Sequence, residues 1–313
     1  MTRVIELNDV ALGLGDGAGL LASSPGYAIV DARRLVVGEA AERQARLDPR
    51  HTTTQFWYRL STDPVPHPHP SARTLADLAH AHLLELWAAA GDTEADDAVL
   101  FALPGTLERE QIALLLGIAR ACPFHAVGLV DAAVAATVRQ APDTGAVAHL
   151  DTLMHEAVIT VVEAEGDRWQ RSRVVEVPNL GFATLREAWI NVIADSFVRE
   201  TRFDPLHDAR TEQALFDRLD RWLGDRVALR RDRLVEKIAP RLTQLAEALA
   251  AALPPDGRVL LSPRLARLPG VADALAERLG RAPEALAEDA AIRGALAREA
   301  EIRHDGEALR FVT

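Results

Sequence analysis

Twice along this chain, short apolar stretches broken by turn residues give way to alternating helical and strand patterns. In the first half the stretches fall at 3–7, 10–14, 18–23 and 26–30, punctuated by Gly13, Gly15, Gly17 and Gly26. That spacing predicts tight hairpins. Helical periodicity follows over about 72–90, where Leu75, Leu78, Ala79, His82, Leu83 and Leu86 share a face and Thr74 with Asp77 caps the start. A strand at 98–103, a helix at 107–120, a strand at 127–130 and a helix over about 131–140 complete the cycle. Strands that alternate with helices pair in parallel through crossovers.

After the turn cluster Pro142-Asp143-Thr144-Gly145 the cycle restarts. Strands at 146–151, 157–163 and 169–177 predict a meander, its middle hairpin turned by Glu165-Gly166-Asp167. A helix over 181–201 puts Phe182, Leu185, Trp189, Val192, Ile193 and Phe197 on one face. Helices follow at 211–224 and 230–252, the second kinked by Pro240, then a strand at 258–262 and helices at 269–280 and 288–301. The repeat is one of architecture, not of sequence. It predicts an α/β protein of two lobes, 1–145 and 146–313, each a mixed sheet flanked by helices, with a ligand cleft between them. The proline-laden stretch Asp63 to Pro70 reads as an extended connection.

At 313 residues, 49% hydrophobic, the chain has enough apolar material for two packed lobes. A net charge of −11 disfavours nucleic acid or an anionic membrane as partner, since both select for basic surfaces. Cys122 is the single cysteine, so neither an intramolecular disulfide nor a thiolate cage can form. Its apolar setting predicts a structural thiol, not a nucleophile. Glu6 so near the start argues against a secretory signal, and no run of about 18 apolar residues predicts a membrane span. A cytoplasmic location is the expectation by elimination.

Several polar groups invite a chemical reading beside a plainer one. His149, Asp151 and His155 carry metal-ligating atoms, but their spacing fits a turn better than a metal site. His67-Pro68-His69-Pro70 reads as a solvated loop, and Gly13-Leu14-Gly15-Asp16-Gly17 as a hairpin turn rather than a dinucleotide loop. Glu6 and Asp9 form a candidate acid/base pair without a neighbouring nucleophile. Trp57 is expected in the core, next to Phe56 and Tyr58. The charged helices over 211–237 read as a solvated face, or equally as a docking surface.

A series of segments then takes on meaning from its order. It begins with Val37-Gly38-Glu39-Ala40-Ala41, Leu47-Asp48-Pro49-Arg50-His51-Thr52, Tyr58-Arg59-Leu60 and Leu103-Pro104-Gly105-Thr106. Val127-Gly128-Leu129-Val130-Asp131-Ala132-Ala133 and Asn179-Leu180-Gly181-Phe182 follow. Asp217-Arg218-Leu219-Asp220-Arg221-Trp222-Leu223, Arg258 to Ser262, Arg267-Leu268-Pro269-Gly270 and Ala290 to Ala295 complete it. Together they resemble the nucleotide-binding domain of the seventy-kilodalton heat-shock chaperones, members of the actin-like ATPase superfamily. No segment resembles that family's peptide-binding domain. The resemblance implies a two-lobed actin-like ATPase fold with ribonuclease H-like lobes and a central nucleotide cleft.

The departures fall on the phosphate loops. Where the family has Asp-Leu-Gly-Thr-Thr, this chain has Glu6-Leu7-Asn8-Asp9-Val10. Where it has Asp-Leu-Gly-Gly-Gly-Thr, this chain has Asp151-Thr152-Leu153-Met154-His155-Glu156, without a glycine. Pro263-Arg264 replaces the Gly-Gly of the adenosine motif, Tyr58 the catalytic lysine, and Asp220 a lysine on the adenine-side helix. Asp131 survives at the acidic hinge position, Asp217 stands for a glutamate, and Arg221 matches an arginine that stacks on adenine. Each lost charge-assisted contact costs about 1.5–3 kcal/mol, so three losses take a micromolar site to millimolar.

The resemblance thus implies a vestigial cleft at Arg221, Asp217, Asp131 and Arg264. One expectation is a non-catalytic interaction or regulatory module with an unidentified protein partner and no cofactor. The other is a divergent ATP-binding protein, chaperone-like or actin-like, that holds Mg-ATP in a rebuilt site. A sugar-kinase-like enzyme shares the fold, but would need the same phosphate loops.

Overall fold

The computed structural model describes all residues except 92–96, 139–144, 166–167, 220–230, 255 and 305–308. Among them, two mixed sheets flanked by helices are built to one plan. In the first, β1 (Thr2–Glu6), β2 (Leu12–Asp16) and β3 (Gly19–Ser24) form an antiparallel meander. After a small sheet of β4 (Ala28–Val30), β5 (Leu35–Val37) and β6 (Thr52–Thr53) and a hairpin of β7 (Pro64–His69) and β8 (Ala72–Thr74), the chain returns to the first sheet. There β9 (Asp97–Leu103) lies parallel to β1, with β10 (Phe124–Asp131) parallel beyond it.

In the second sheet, β11 (Ala146–Thr152), β12 (Glu156–Glu165) and β13 (Arg168–Pro178) form the meander. Here β14 (Arg258–Leu261) runs parallel to β11, and β15 (Glu284–Ala285) parallel to β14. The final strand, β16 (Phe311–Val312), goes back to the first sheet and pairs with β10.

Strand alternation sends successive side chains into different cores. Ile5, Phe101 and Leu129 face a core shared with the helix Leu75–Ala89, while Val4, Leu100 and Val130 face the opposite way. This second face meets Val147 and Leu260 of the other sheet, with Ala135 and Ala136 of the helix Ala132–Thr137 and Ile292 and Ala295 of the helix Ala290–Ala297. One apolar layer therefore joins the two sheets. Within it Gly294 lies so close to the carbonyl of Ala135 that an added Cβ would overlap it. Gly294→Ala should force the two helices apart and cost about 1–3 kcal/mol, lowering the melting temperature by several degrees. A variant that melts with the parent would show this contact to be loose.

The predicted capping box is present: Asp77 N donates to Thr74 Oγ1 at 3.2 Å, and Thr74 N to Asp77 Oδ2 at 2.9 Å. Other elements differ from expectation. The proline stretch is a strand of a hairpin, paired with β8 at Pro64 and His69, with Pro66 and Pro68 between those pairs. Its prolines lack the donors for a full ladder, which suits them to such a peripheral hairpin. The helix predicted at 269–280 is present as Val271–Leu279, and a short helix not predicted, Pro263–Ala266, precedes it, capped by Ser262 and begun by Pro263. The helix predicted at 288–301 divides into Ala290–Ala297 and Glu299–Ile302. The helix Arg231–Ala252 continues through Pro240. Helix Ala209–Asp217 accounts for the start of the 211–224 stretch, and Gly166-Asp167 lies outside the described residues. No described helix is long and apolar enough to cross a membrane.

Candidate functional site

The first strand of each sheet ends in a loop, and the two loops meet. Asn8, just beyond β1, donates through Nδ2 to Asp151 Oδ2 at 3.0 Å and to the Thr152 carbonyl at 3.2 Å. Its Oδ1 accepts from Val10 N and so shapes its own loop. From the other side Met154 N donates to Asp9 Oδ1 at 2.7 Å. The residues that the resemblance places around phosphates are thus hydrogen-bonded to each other.

Arg264 completes the contact. It sits in the short helix after β14, where its Nη2 lies 2.7 Å from Glu6 Oε1 and its Nη1 3.5 Å from Asp151 Oδ2. Burial opposes its charge, but Glu6 and Asp151 outweigh burial and raise its pKa. Asp9 fares differently. Burial pushes its pKa up to about 7, against the hydrogen bond from Met154, and the charge of Asp151 adds to the rise. Neighbouring His149 is buried, and burial lowers its pKa.

Asp131 is fully buried at the end of β10. It caps the helix Ala132–Thr137 by accepting from Ala133 N and Val134 N, and it pairs with Arg171 Nη1 of β13 at 2.8 Å. Arg171 also donates to the Gly105 carbonyl. Burial raises the pKa of Asp131, with Arg171 opposing it. Asp217 is exposed at the end of its helix and accepts from Gln213 Nε2 at 2.7 Å. Arg221 and Asp220 lie outside the described residues. Of the four residues read as a cleft, Arg264 joins the two loops and Asp131 binds Arg171, while Asp217 stands on the surface.

The same loops form the floor of a cavity of about 610 Å³. Asp9 and Glu156 lie there, Tyr58 contributes an aromatic side chain to the wall, and the exposed Glu176 of β13 also lines it. Tyr58 is 44% exposed on this wall, so it flanks the space rather than plugging it. Its ring lies 5.4 Å from that of His155, which is anchored to Thr54. Trp57 is buried as expected and donates to His82 Nδ1 at 2.9 Å. The chain of bonds passes on through His82 Nε2 to Ser24 and then to Glu85. Burial lowers the pKa of His82 to about 3, so the imidazole is neutral and donates to Ser24.

Glu156 is the conspicuous group. It is 3% exposed, and its carboxylate makes no hydrogen bond or ion pair with a described residue. Burial, then Glu176 and Asp9, push its pKa up to about 7. Its charge is also the largest influence raising the pKa of Tyr58. Sequence reasoning placed this residue in a degenerate phosphate turn. Nothing in its neighbours marked it as buried, because Glu176 and Asp9 reach it only through the fold.

Among the described residues, the ligand atoms of His149, Asp151 and His155 do not converge. The acidic trio that does, Asp31, Asp48 and His51, is tied by Arg34 to both aspartates. Cys122 is partly buried, and burial raises its pKa to about 12, in keeping with a structural thiol. Compared with protein-family models and with curated proteins, the chain matches none.

Proposed function

We propose that this protein is a non-catalytic relative of the actin-like ATPases, resembling the nucleotide-binding domain of the heat-shock chaperones and serving as a protein-interaction or regulatory module. Two sheets of the same strand order, a meander with parallel strands added beyond its first strand, support the two-lobed actin-like reading. The observation that carries the functional reading is the contact between the loops. Asn8 and Asp9 are bonded to Asp151, Thr152 and Met154, where a triphosphate would have to lie.

The residues present do not fit Mg-ATP. A triphosphate needs cations and amide donors around it. Here the candidate cation Arg264 is held by Glu6 and Asp151, and the Met154 amide by Asp9. Glu156 and Asp9 add acids to the cavity lining rather than the cations or amide donors a triphosphate needs.

Thermal unfolding with and without millimolar Mg-ATP, and with Mg-ADP, tests the reading. We expect no shift in melting temperature. A ligand at 100 times its dissociation constant stabilises by about 2.7 kcal/mol, or several degrees. A shift of that size would overturn the proposal in favour of a divergent ATP-binding protein.

A further inference from the structure

We propose that the cavity beside the joined loops is a binding site for an organic cation, an ammonium or guanidinium head group, with Glu156 as its anchor. The inference rests on the reading above that the cleft holds no triphosphate, and it gives that cleft a ligand class.

Three observations carry it. First, the lining is one-sided in kind: among the described residues it holds Asp9, Asp63, Glu108, Glu110, Glu156 and Glu176 against Arg59 as the only basic side chain. Second, Glu156 is almost wholly buried, yet its carboxylate is unpartnered among the described residues and borders the cavity. A buried carboxylate is normally paired, hydrogen-bonded or neutralised, so a cation entering the cavity supplies what Glu156 lacks. Third, Tyr58 lines the cavity and is 44% exposed there. Aromatic faces beside carboxylates suit ammonium and guanidinium groups, which gain from both.

A bare divalent ion fits less well. It requires donor atoms gathered around one point, and the described acids of this cavity are not gathered in that way. A head group with several N–H donors can instead reach Glu156 on the floor and Glu176 at the rim. A volume of about 610 Å³ accommodates a small ligand or one extended side chain.

Without a ligand, a proton neutralises Glu156, whose pKa lies near 7. The cation must displace that proton, so its binding strengthens as pH rises through about 7 and levels off above. The groups facing Glu156 in this exchange are Asp9 from the loop after β1, Glu176 from β13, Tyr58 and Arg59 from the segment before Leu60, and the adjacent His155.

The test is calorimetric titration of the full chain at pH 6 and pH 8, using agmatine, a capped peptide with one internal arginine, and magnesium chloride. Agmatine or the peptide should bind at pH 8 and bind several-fold more weakly at pH 6. Magnesium should bind neither better nor with that pH dependence. Binding by agmatine alone would point to a free amine as the source of the cation, and binding by the peptide alone to a side chain of a partner protein. Glu156→Gln should lose at least tenfold in affinity while melting no lower than the parent, and Glu277→Gln, in the helix Val271–Leu279 and outside the cavity lining, should change affinity less than threefold. No binding by either organic cation, or equal binding to Glu156→Gln, overturns the inference. Should Glu156→Gln fail to fold, Glu176→Gln and the pH comparison on the parent chain decide instead, with no loss in both overturning it. Stabilisation by Mg-ATP would defeat the functional reading and this one together. Absence of both effects defeats only this one.

Discussion

Arg264→Ala should lower folding stability by about 3–5 kcal/mol, the cost typical of breaking a buried ion pair from one side. Among the described residues the guanidinium is the single cation bonded to Glu6 and Asp151, and Asp9 lies in the same buried environment. Its removal leaves at least two buried carboxylates facing each other with no counter-charge. Denaturant unfolding at pH 7.5 measures the loss. Arg264→Lys keeps the charge but lacks the planar fork that reaches two carboxylates, so it should recover only part of the stability. An alanine variant within 1 kcal/mol of the parent would mean that water or protons, not Arg264, neutralise this junction.

Asp9→Asn should act in the opposite direction. Folding raises the pKa of Asp9 from an ordinary 3.8 to about 7. Below pH 3.8 both folded and unfolded chains hold the proton, and this group gives stability no pH dependence. Between about 4 and 7 the unfolded chain releases the proton while the folded chain retains it, so stability falls with rising pH. Above about 7 the loss is complete, and it amounts to roughly 4 kcal/mol. Asparagine stays neutral throughout, and its Oδ1 can still accept from Met154 N. The variant should therefore gain on the parent by roughly 3–4 kcal/mol between pH 4 and pH 8, measured by denaturant unfolding at each pH. A gap that does not change with pH would show that Asp9 ionises freely in the folded chain.

What could be read from the sequence follows from the range of each signal. The meanders, the helix Leu75–Ala89 with its Thr74–Asp77 box, and the long helix Phe182–Thr201 announce themselves because alternation, periodicity and capping are local. Pro64 to His69 misled because proline spacing suggests an unpaired chain, and only β8 reveals a partner. The short helix Pro263–Ala266 escaped notice because one turn capped by Ser262 carries no apolar periodicity.

The site was less legible. Asp131 and Arg264 were picked out, but their partners Arg171, Glu6 and Asp151 are distant in sequence and are brought near only by the pairing of the sheets. Glu156 was passed over for the same reason: its burial is set by the fold around it, not by its neighbours in the chain.

The return of Phe311–Val312 to β10, together with the bond from Thr2 Oγ1 to Glu299 at 2.6 Å, bears on how the chain comes to be folded. During synthesis one flank of β10 stays unpaired, and the face formed by Val4, Leu100 and Val130 lacks the cover of Ile292 and Ala295, until residues 290–312 have been made. Closing so long a loop is slow, and a nascent chain would carry an exposed strand edge and a partly covered apolar face until that segment is made.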